Sequence, residues 1–416
     1  MFFLYNIFLL LILLISPILI VFRILKKKED SKRFTEKLSF SSKKRHLGKL
    51  IWFHGASVGE ILSIIPIVKI YEKKKSINQI LITSSTLSSY KVLKKFKFKK
   101  TIHQFYPLDY FFFINRFLNY WKPDLAIFID SEVWPNMFQK LKINKIPLVL
   151  LNARITNKTF KRWKIFKKFS QKVFSNITIA YPQNLETNFF LKKLKVNKIK
   201  LIGNLKFAEI DDKKQNKLNN NLNYQFKKKK IWIASSTHNM EEIFCAKTHI
   251  KLKKKIKNLL TIIIPRHIHR AEEIISDIKK LNLRVTSHSS KKKDIKNTDI
   301  YIVDTFGDTK KFYKIGCSVF MGGSIIKRGG QNPLEAARYG ARILHGPNIN
   351  NFKDVYKLLK LFKASDKITT PDKLASLISF NRNNNIGPRI KKIGELVLKK
   401  TEKELDNLIN NEFKKT

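Results

Sequence analysis

Lys49–Glu60 reads KLIWFHGASVGE: an apolar run, a turn containing Gly55 and Gly59, and the first residues of a helix. Helix N-termini present free N–H groups and partial positive charge, so such a turn is a natural phosphate cradle. This one brings its own anion, Glu60. With Ser57 as N-cap, Glu60 falls at the third helical position, and S-x-x-E spells a capping box in which each side chain satisfies a backbone donor of the other residue. The second reading makes Glu60 a general base at the carboxyl end of a strand. Spacing alone leaves both open.

The same rhythm runs outward from this stretch. Apolar runs (INQILIT, DLAIFID, IPLVLLN, ITIAYP, KIKLIGN) alternate with longer helix-like segments up to Asn204, the pattern of a parallel α/β sheet. It pauses at EIDDKKQNKLNNNLNYQFKKKK, residues 209–230, which reads as a polar linker. It resumes with IWIASSTH, LLTIIIPRH, DIYIVD, CSVFMGG and ARILHGP. The expected fold is α/β, with two Rossmann-like domains facing a cleft (29–208 and 231–385) and a helical tail over 386–416. In open α/β sheets ligands collect at the carboxyl ends of strands, where the distinctive residues of this chain cluster.

The chain has 416 residues, 43% of them hydrophobic, enough for two cores. Its 84 Lys plus Arg against 31 Asp plus Glu give a net charge of +53, which suggests an anionic partner: nucleic acid, a membrane surface or a phosphorylated substrate. Lysine and asparagine also crowd dull stretches such as KKQNKLNNN, so part of the charge is compositional. A nucleic-acid binder would lose affinity steeply with salt, but no nucleic-acid motif is recognisable. Cys245 and Cys317 sit in unrelated contexts, so neither a disulfide framework nor a zinc site is implied. HExxH, CxxC and Walker patterns are absent from the sequence, and no metal cofactor is expected.

Residues 1–28 form the clearest local signal. MFFLYNIFLLLILLISPILIVF carries no charge over Met1–Phe22 and is followed by RILKKKED. That length spans a bilayer core as one helix. A cleaved signal would need basic residues before the apolar run and a small-x-small site after it, and the cluster of Arg23, Lys26, Lys27 and Lys28 predicts that the remainder stays cytoplasmic.

Beyond Glu60, four groups of residues stand out. IDSEVWPN places Asp130 and Glu132 two apart after a strand, either a perturbed carboxylate pair or acids favoured by a helix dipole. Lys206 lies in GNLKF. Arg266 follows Pro265 in IIIPRHIHR, and its planar fork suits phosphate or carboxylate. In GGSIIKRGGQNPLEAA, the paired glycines let backbone approach a ligand, and Asn332 is expected to cap a helix with Pro333 at its first position and Glu335 at its third.

In this order, FHGASVGE, YPLD, SEVWPN, LNARIT, GNLKF, SSTH, PRHIHR, VDTFGD, GGSIIKRGGQNPLEAA and HGPNINNFKD resemble the 3-deoxy-D-manno-octulosonic acid (Kdo) transferases. The resemblance implies a glycosyltransferase-B fold, a membrane-anchored enzyme at the bacterial inner membrane, CMP-Kdo as donor, a lipid A precursor as acceptor, and inversion at the anomeric carbon. It implies Glu60 as proton acceptor and Lys206 and Asp130 as stabilising residues, Asp130 standing where glutamate is typical. CMP contacts carry over to Pro265 and Arg266, to Phe306, Gly307 and Asp308, and to Asn332, Pro333, Leu334 and Glu335. Gln331 stands where histidine is common. The basic segment KTFKRWKIFKKFSQKVF would meet anionic lipid. The competing readings are a transferase of the same fold using another nucleotide sugar, and a degenerate, inactive relative.

Overall fold

The computed structural model describes residues 1–26, 29–208, 218–290 and 295–413. The chain divides into two compact units, Met1–Ile210 with Ile393–Thr416, and Asp211–Lys392.

The first unit is built on β1 (Leu50–His54), β2 (Gln79–Ser84), β3 (Thr101–Phe105), β4 (Leu125–Ile129), β5 (Leu148–Ala153) and β6 (Ile179–Pro182). They form one parallel sheet in the order β3-β2-β1-β4-β5-β6. Strands such as LIWFH and LAIFI are apolar on both faces and buried along their length, because helices cover both sides of a parallel sheet. One face packs Trp52, Phe117, Trp121 and Phe128, the other Ile51, Ile64, Ile127 and Val149. Strand order reverses between β1 and β4, and at such a switch point the two outgoing loops diverge and leave a crevice at the carboxyl ends. FHGASVGE leaves β1 and IDSEVWPN leaves β4.

The second unit repeats the plan with β7 (Lys230–Thr237), β8 (Leu259–Pro265), β9 (Val285–Ser287), β10 (Ile300–Ile302), β11 (Ser318–Met321), β12 (Arg342–His345) and β13 (Ser365–Lys367). The order is β13-β12-β11-β7-β8-β10-β9, all parallel. Here the switch lies between β7 and β11.

Part of the stretch read as a linker is helical. Asn220–Lys227 forms a helix that buries Leu222 and Phe226, with the Phe226 ring edge-on to Tyr301. Two apolar residues four apart give even a polar segment one face to bury. Residues 209–217 lie outside the described residues.

The helix Phe2–Leu25 is the one candidate span among the described residues, with mean hydropathy 2.9 in its central window and little burial. Its first turns rest on unit one: the Phe2 ring lies 4.9 Å from Phe169, Tyr5 donates to the Asp109 carboxylate at 2.8 Å, and Asn136 donates to Asn6 at 2.7 Å. The Asp109 carboxylate also accepts the N–H groups of Asn136 and Met137, so YPLD caps the helix Pro135–Ile143 from a distant loop.

The closing helix, Ile386–Phe413, buries Val397, Leu405 and Ile409 in the first core. Asp406 accepts from Tyr71 at 3.0 Å and Lys74 at 2.6 Å. Gly394 faces the turn Leu205–Ala208, and a Cβ there would overlap the Phe207 carbonyl oxygen. At Gly203 φ is +106°, and a Cβ would sit 2.8 Å from Val397. The turn that carries Lys206 is therefore clamped between Asn152, whose side-chain oxygen takes the Leu205 N–H at 2.9 Å, and this helix. Gly394→Ala decides between two effects of opposite sign. Helix propensity alone predicts a gain of about 1 kcal/mol, whereas overpacking predicts a loss of about 1–3 kcal/mol. We expect the loss, read as a lower urea midpoint.

Candidate active site

Glu60 occupies the capping box that its spacing predicts. The Ser57 hydroxyl oxygen accepts the Glu60 N–H, and the Glu60 carboxylate accepts the N–H groups of Ala56 at 2.7 Å and Ser57 at 3.3 Å and the Ser57 hydroxyl at 2.8 Å. The box does not exhaust the residue. Burial, then the charges of Glu132 and Asp130, push its carboxyl up to about 7, against the Ser57 hydrogen bonds that pull it down. A carboxylate held near neutrality by two neighbours of its own sign matches a general base working near pH 7.

The structure brings those neighbours, both from the loop after β4, to Glu60 after β1. Asp130 sits at the end of β4 with φ +61°, a left-handed conformation that costs a non-glycine residue on the order of 1–3 kcal/mol. Its Oδ2 accepts from Lys206 Nζ at 2.9 Å, and both side chains are mostly buried. Asp130 and Lys206, to which the resemblance assigns separate stabilising roles, are thus partners. Asp130 Oδ1 is buried with no hydrogen-bond partner among the described residues, an uncommon state for a buried polar atom.

Glu132 takes part as well. Its Oε2 accepts from Trp134 Nε1 at 3.0 Å and lies 3.3 Å from His54 Nε2. His54 is fully buried, and burial lowers its pKa despite Glu132. His54 Nε2 faces the Glu132 carboxylate, and Nδ1 lies 2.9 Å from the Thr83 hydroxyl and 3.2 Å from the Thr83 carbonyl oxygen. Tyr106 stacks on this ring at 3.9 Å. His54, Tyr106 and Trp134 were not singled out by sequence reasoning, although each stands inside a quoted motif. A buried histidine at the end of β1, beside the diverging loops, was the available signal.

The remaining expected residues all belong to the second unit. Arg266 and His267, after β8, are exposed, and Arg266 N–H is bonded to the Thr237 carbonyl at 2.9 Å. His238, after β7, is pushed down to about 4 by burial and by His267, Arg328, Arg266 and Arg270, and its Nε2 is buried without a hydrogen-bond partner among the described residues. A neutral histidine ringed by cations is an anion-binding environment. Phe306 is 72% exposed, Gly307 turns with φ +94°, and Asp308 is paired with Lys311 at 2.6 Å. Asn332 does not occupy the N-cap. The helix is Leu334–Arg338 with Pro333 in the cap position, and Asn332 instead closes a tight turn by accepting the Leu334 N–H at 3.1 Å. Glu335 therefore falls at the second helical position, within reach of Lys310 at 3.7 Å.

The first glycine pair, Gly322 and Gly323, packs against the protein itself. The N–H groups of Gly323, Ser324 and Ile325 are taken by the buried Glu241 carboxylate at 2.7–3.1 Å, which also accepts His238 N–H. A Cβ on Gly322 would overlap the backbone of Ser236 and Thr237 at the end of β7. This nest is filled by the protein's own anion.

Solved structures with this plan include a putative UDP-N-acetylglucosamine 2-epimerase from Listeria monocytogenes (TM-score 0.54, 13% identity, 89% of this chain and 98% of that one) and the glycotransferase of kitacinnamycin (TM-score 0.54, 9% identity, 88% and 100%). These likenesses define the class, α/β proteins of the glycosyltransferase-B type. Residues 32–209 match the family model for 3-deoxy-D-manno-octulosonic-acid transferase (kdotransferase). A 3-deoxy-D-manno-octulosonic acid transferase of Rickettsia bellii is 32% identical over 397 residues, covering 94% of each chain, and that of Haemophilus influenzae is 30% identical, covering 74% of this chain and 73% of that one. The chain belongs to the 3-deoxy-D-manno-octulosonic acid transferase family of glycosyltransferases.

The Asp130–Lys206 pair is open to a double-mutant test. Lys206→Met leaves a buried carboxylate uncompensated and should cost about 3–5 kcal/mol. Adding Asp130→Asn removes the stranded charge, so the double variant should be more stable than Lys206→Met alone, as read by urea unfolding.

Proposed function

We propose that the protein transfers Kdo from CMP-Kdo to a hydroxyl of the lipid A precursor, with inversion at the anomeric carbon. One observation carries this reading: Glu60 stands at the switch point of unit one, raised to about 7 beside Asp130 and Glu132. In the step proposed, Glu60 takes the proton of the acceptor hydroxyl as that oxygen bonds to the anomeric carbon. The bond from that carbon to the phosphate oxygen breaks, and CMP leaves with the electron pair. Attack and departure on opposite faces give inversion.

Lys206 and Asp130 act as the stabilising pair. The ammonium offsets negative charge on the sugar carboxylate or departing cytidylate, and the carboxylate faces the positive charge that develops on the ring. Asp130 Oδ1, without a hydrogen-bond partner among the described residues, is the free acceptor such a role uses. Pro265 and Arg266, Phe306 to Asp308 and Asn332 to Glu335 hold the CMP moiety, and the cations around His238 favour its phosphate. These cations take the place of a metal in this scheme. The apolar helix Phe2–Leu25 is compatible with an anchor, and the reading places the enzyme on the cytoplasmic face of the inner membrane.

The test is transfer from CMP-Kdo to a tetra-acylated lipid A precursor by the purified, detergent-solubilised protein. The parent should transfer, CMP should inhibit where UDP does not, and a chelator should leave the rate intact. Glu60→Gln should lower kcat by on the order of a hundredfold or more. A folded parent that transfers nothing, or a Glu60→Gln variant of parental rate, contradicts the reading.

A further inference from the structure

Between the helix Phe2–Leu25 and the body of unit one lies a cavity of about 300 Å³, at the small end of the size range for ligand pockets. Leu9, Ile12 and Leu13 form one wall, and Tyr106 to Tyr110 and Trp134 form most of the rest. We propose that this cavity holds one acyl chain of the lipid acceptor; the inference rests on the reading above and names the part of the acceptor bound here.

Four observations carry it. The lining is overwhelmingly apolar, so a sugar or phosphate would lose hydration there without compensation. The charged wall residue Asp109 is already engaged by Tyr5, Asn136 and Met137, and Lys37 by Glu29 at 2.5 Å, so the cavity presents no unmet charge from these two. Tyr106 adds a buried hydroxyl without a hydrogen-bond partner among the described residues, suited to the ester or amide oxygen at the head of an acyl chain. Finally, the wall is shared with the acid cluster: Tyr106 stacks on His54, and Trp134 donates to Glu132. A chain seated here ends one side chain away from that cluster.

The cavity also adjoins the faces suited to lipid. Phe3, Leu4, Ile7, Phe8 and Leu11 are exposed on the helix, and Phe2 packs on Phe169 in the basic segment, with Lys172 over its ring. These exposed apolar faces lie on the same helix that contributes Leu9, Ile12 and Leu13 to the cavity wall. The ends of the helix are tied to the same unit, Tyr5 to Asp109 and Arg23 to Glu29, which keeps the wall in place.

Two readouts on the full chain test this. In the first, a palmitic acid carrying a mid-chain diazirine is photolysed with the protein and the labelled peptides are identified. Label on residues 106–110 and 134, displaced by excess tetra-acylated acceptor and lost in Leu13→Trp or Leu9→Trp, is expected. Label confined to the exposed helix faces overturns the proposal. In the second, kcat/KM is compared for acylated and fully deacylated acceptor. Filling the cavity should lower the acylated-to-deacylated ratio by about tenfold or more, the scale on which apolar pockets discriminate. A ratio equal to the parent's overturns the proposal. A parent that transfers to neither acceptor defeats the transferase reading instead, and the labelling result still decides the cavity.

Discussion

The ion pair between Asp130 and Lys206 is the contact on which the site depends. It joins the end of β4 to the turn Leu205–Ala208 across 76 positions of sequence, at 2.9 Å and largely out of water. Glu60 sits close enough to Glu132 and Asp130 for their charges to add to burial in raising its carboxyl. Lys206 compensates Asp130 at close range, while the Glu60 carboxyl is raised by burial first, then by Glu132 and then by Asp130.

Maintaining the pair requires strain elsewhere. Asp130 accepts a left-handed backbone, one of its oxygens is orphaned, and Gly203 and Gly394 must lack side chains so that the closing helix can press on the Lys206 turn. A chain selected only for stability would relieve each of these. Strain of this kind concentrates where a reaction needs pre-set groups.

Much of the fold was legible because parallel sheets covered on both sides demand continuous apolar strands, and LIWFH, LAIFI and LVLLN announce them. Ser57 and Glu60 were legible as a capping box, since that contact is local. The base reading was equally written at Glu60, but only the tertiary proximity of Asp130 and Glu132 distinguishes it from a common helix start. The Asp130–Lys206 pair was out of reach because no local rule couples residues 76 positions apart. Leu222 and Phe226 hid a helix inside a polar stretch, since burial depends on Tyr301 far along the chain. Glu241 was likewise unreadable as the occupant of the glycine loop: its hydrogen bonds run to residues more than 80 positions away.

The account's central claim is that Glu60 is a base poised by burial and by its acidic neighbours. The most direct measurement is the pH dependence of kcat/KM for Kdo transfer, in the parent and in Glu132→Gln. A raised pKa keeps the carboxyl protonated and inactive below its midpoint, so the parental rate should climb with pH to a plateau above about 7. Removing the Glu132 charge should move that climb to lower pH. A climb centred near the ordinary glutamate range in the parent, or one that Glu132→Gln leaves in place, would contradict the account.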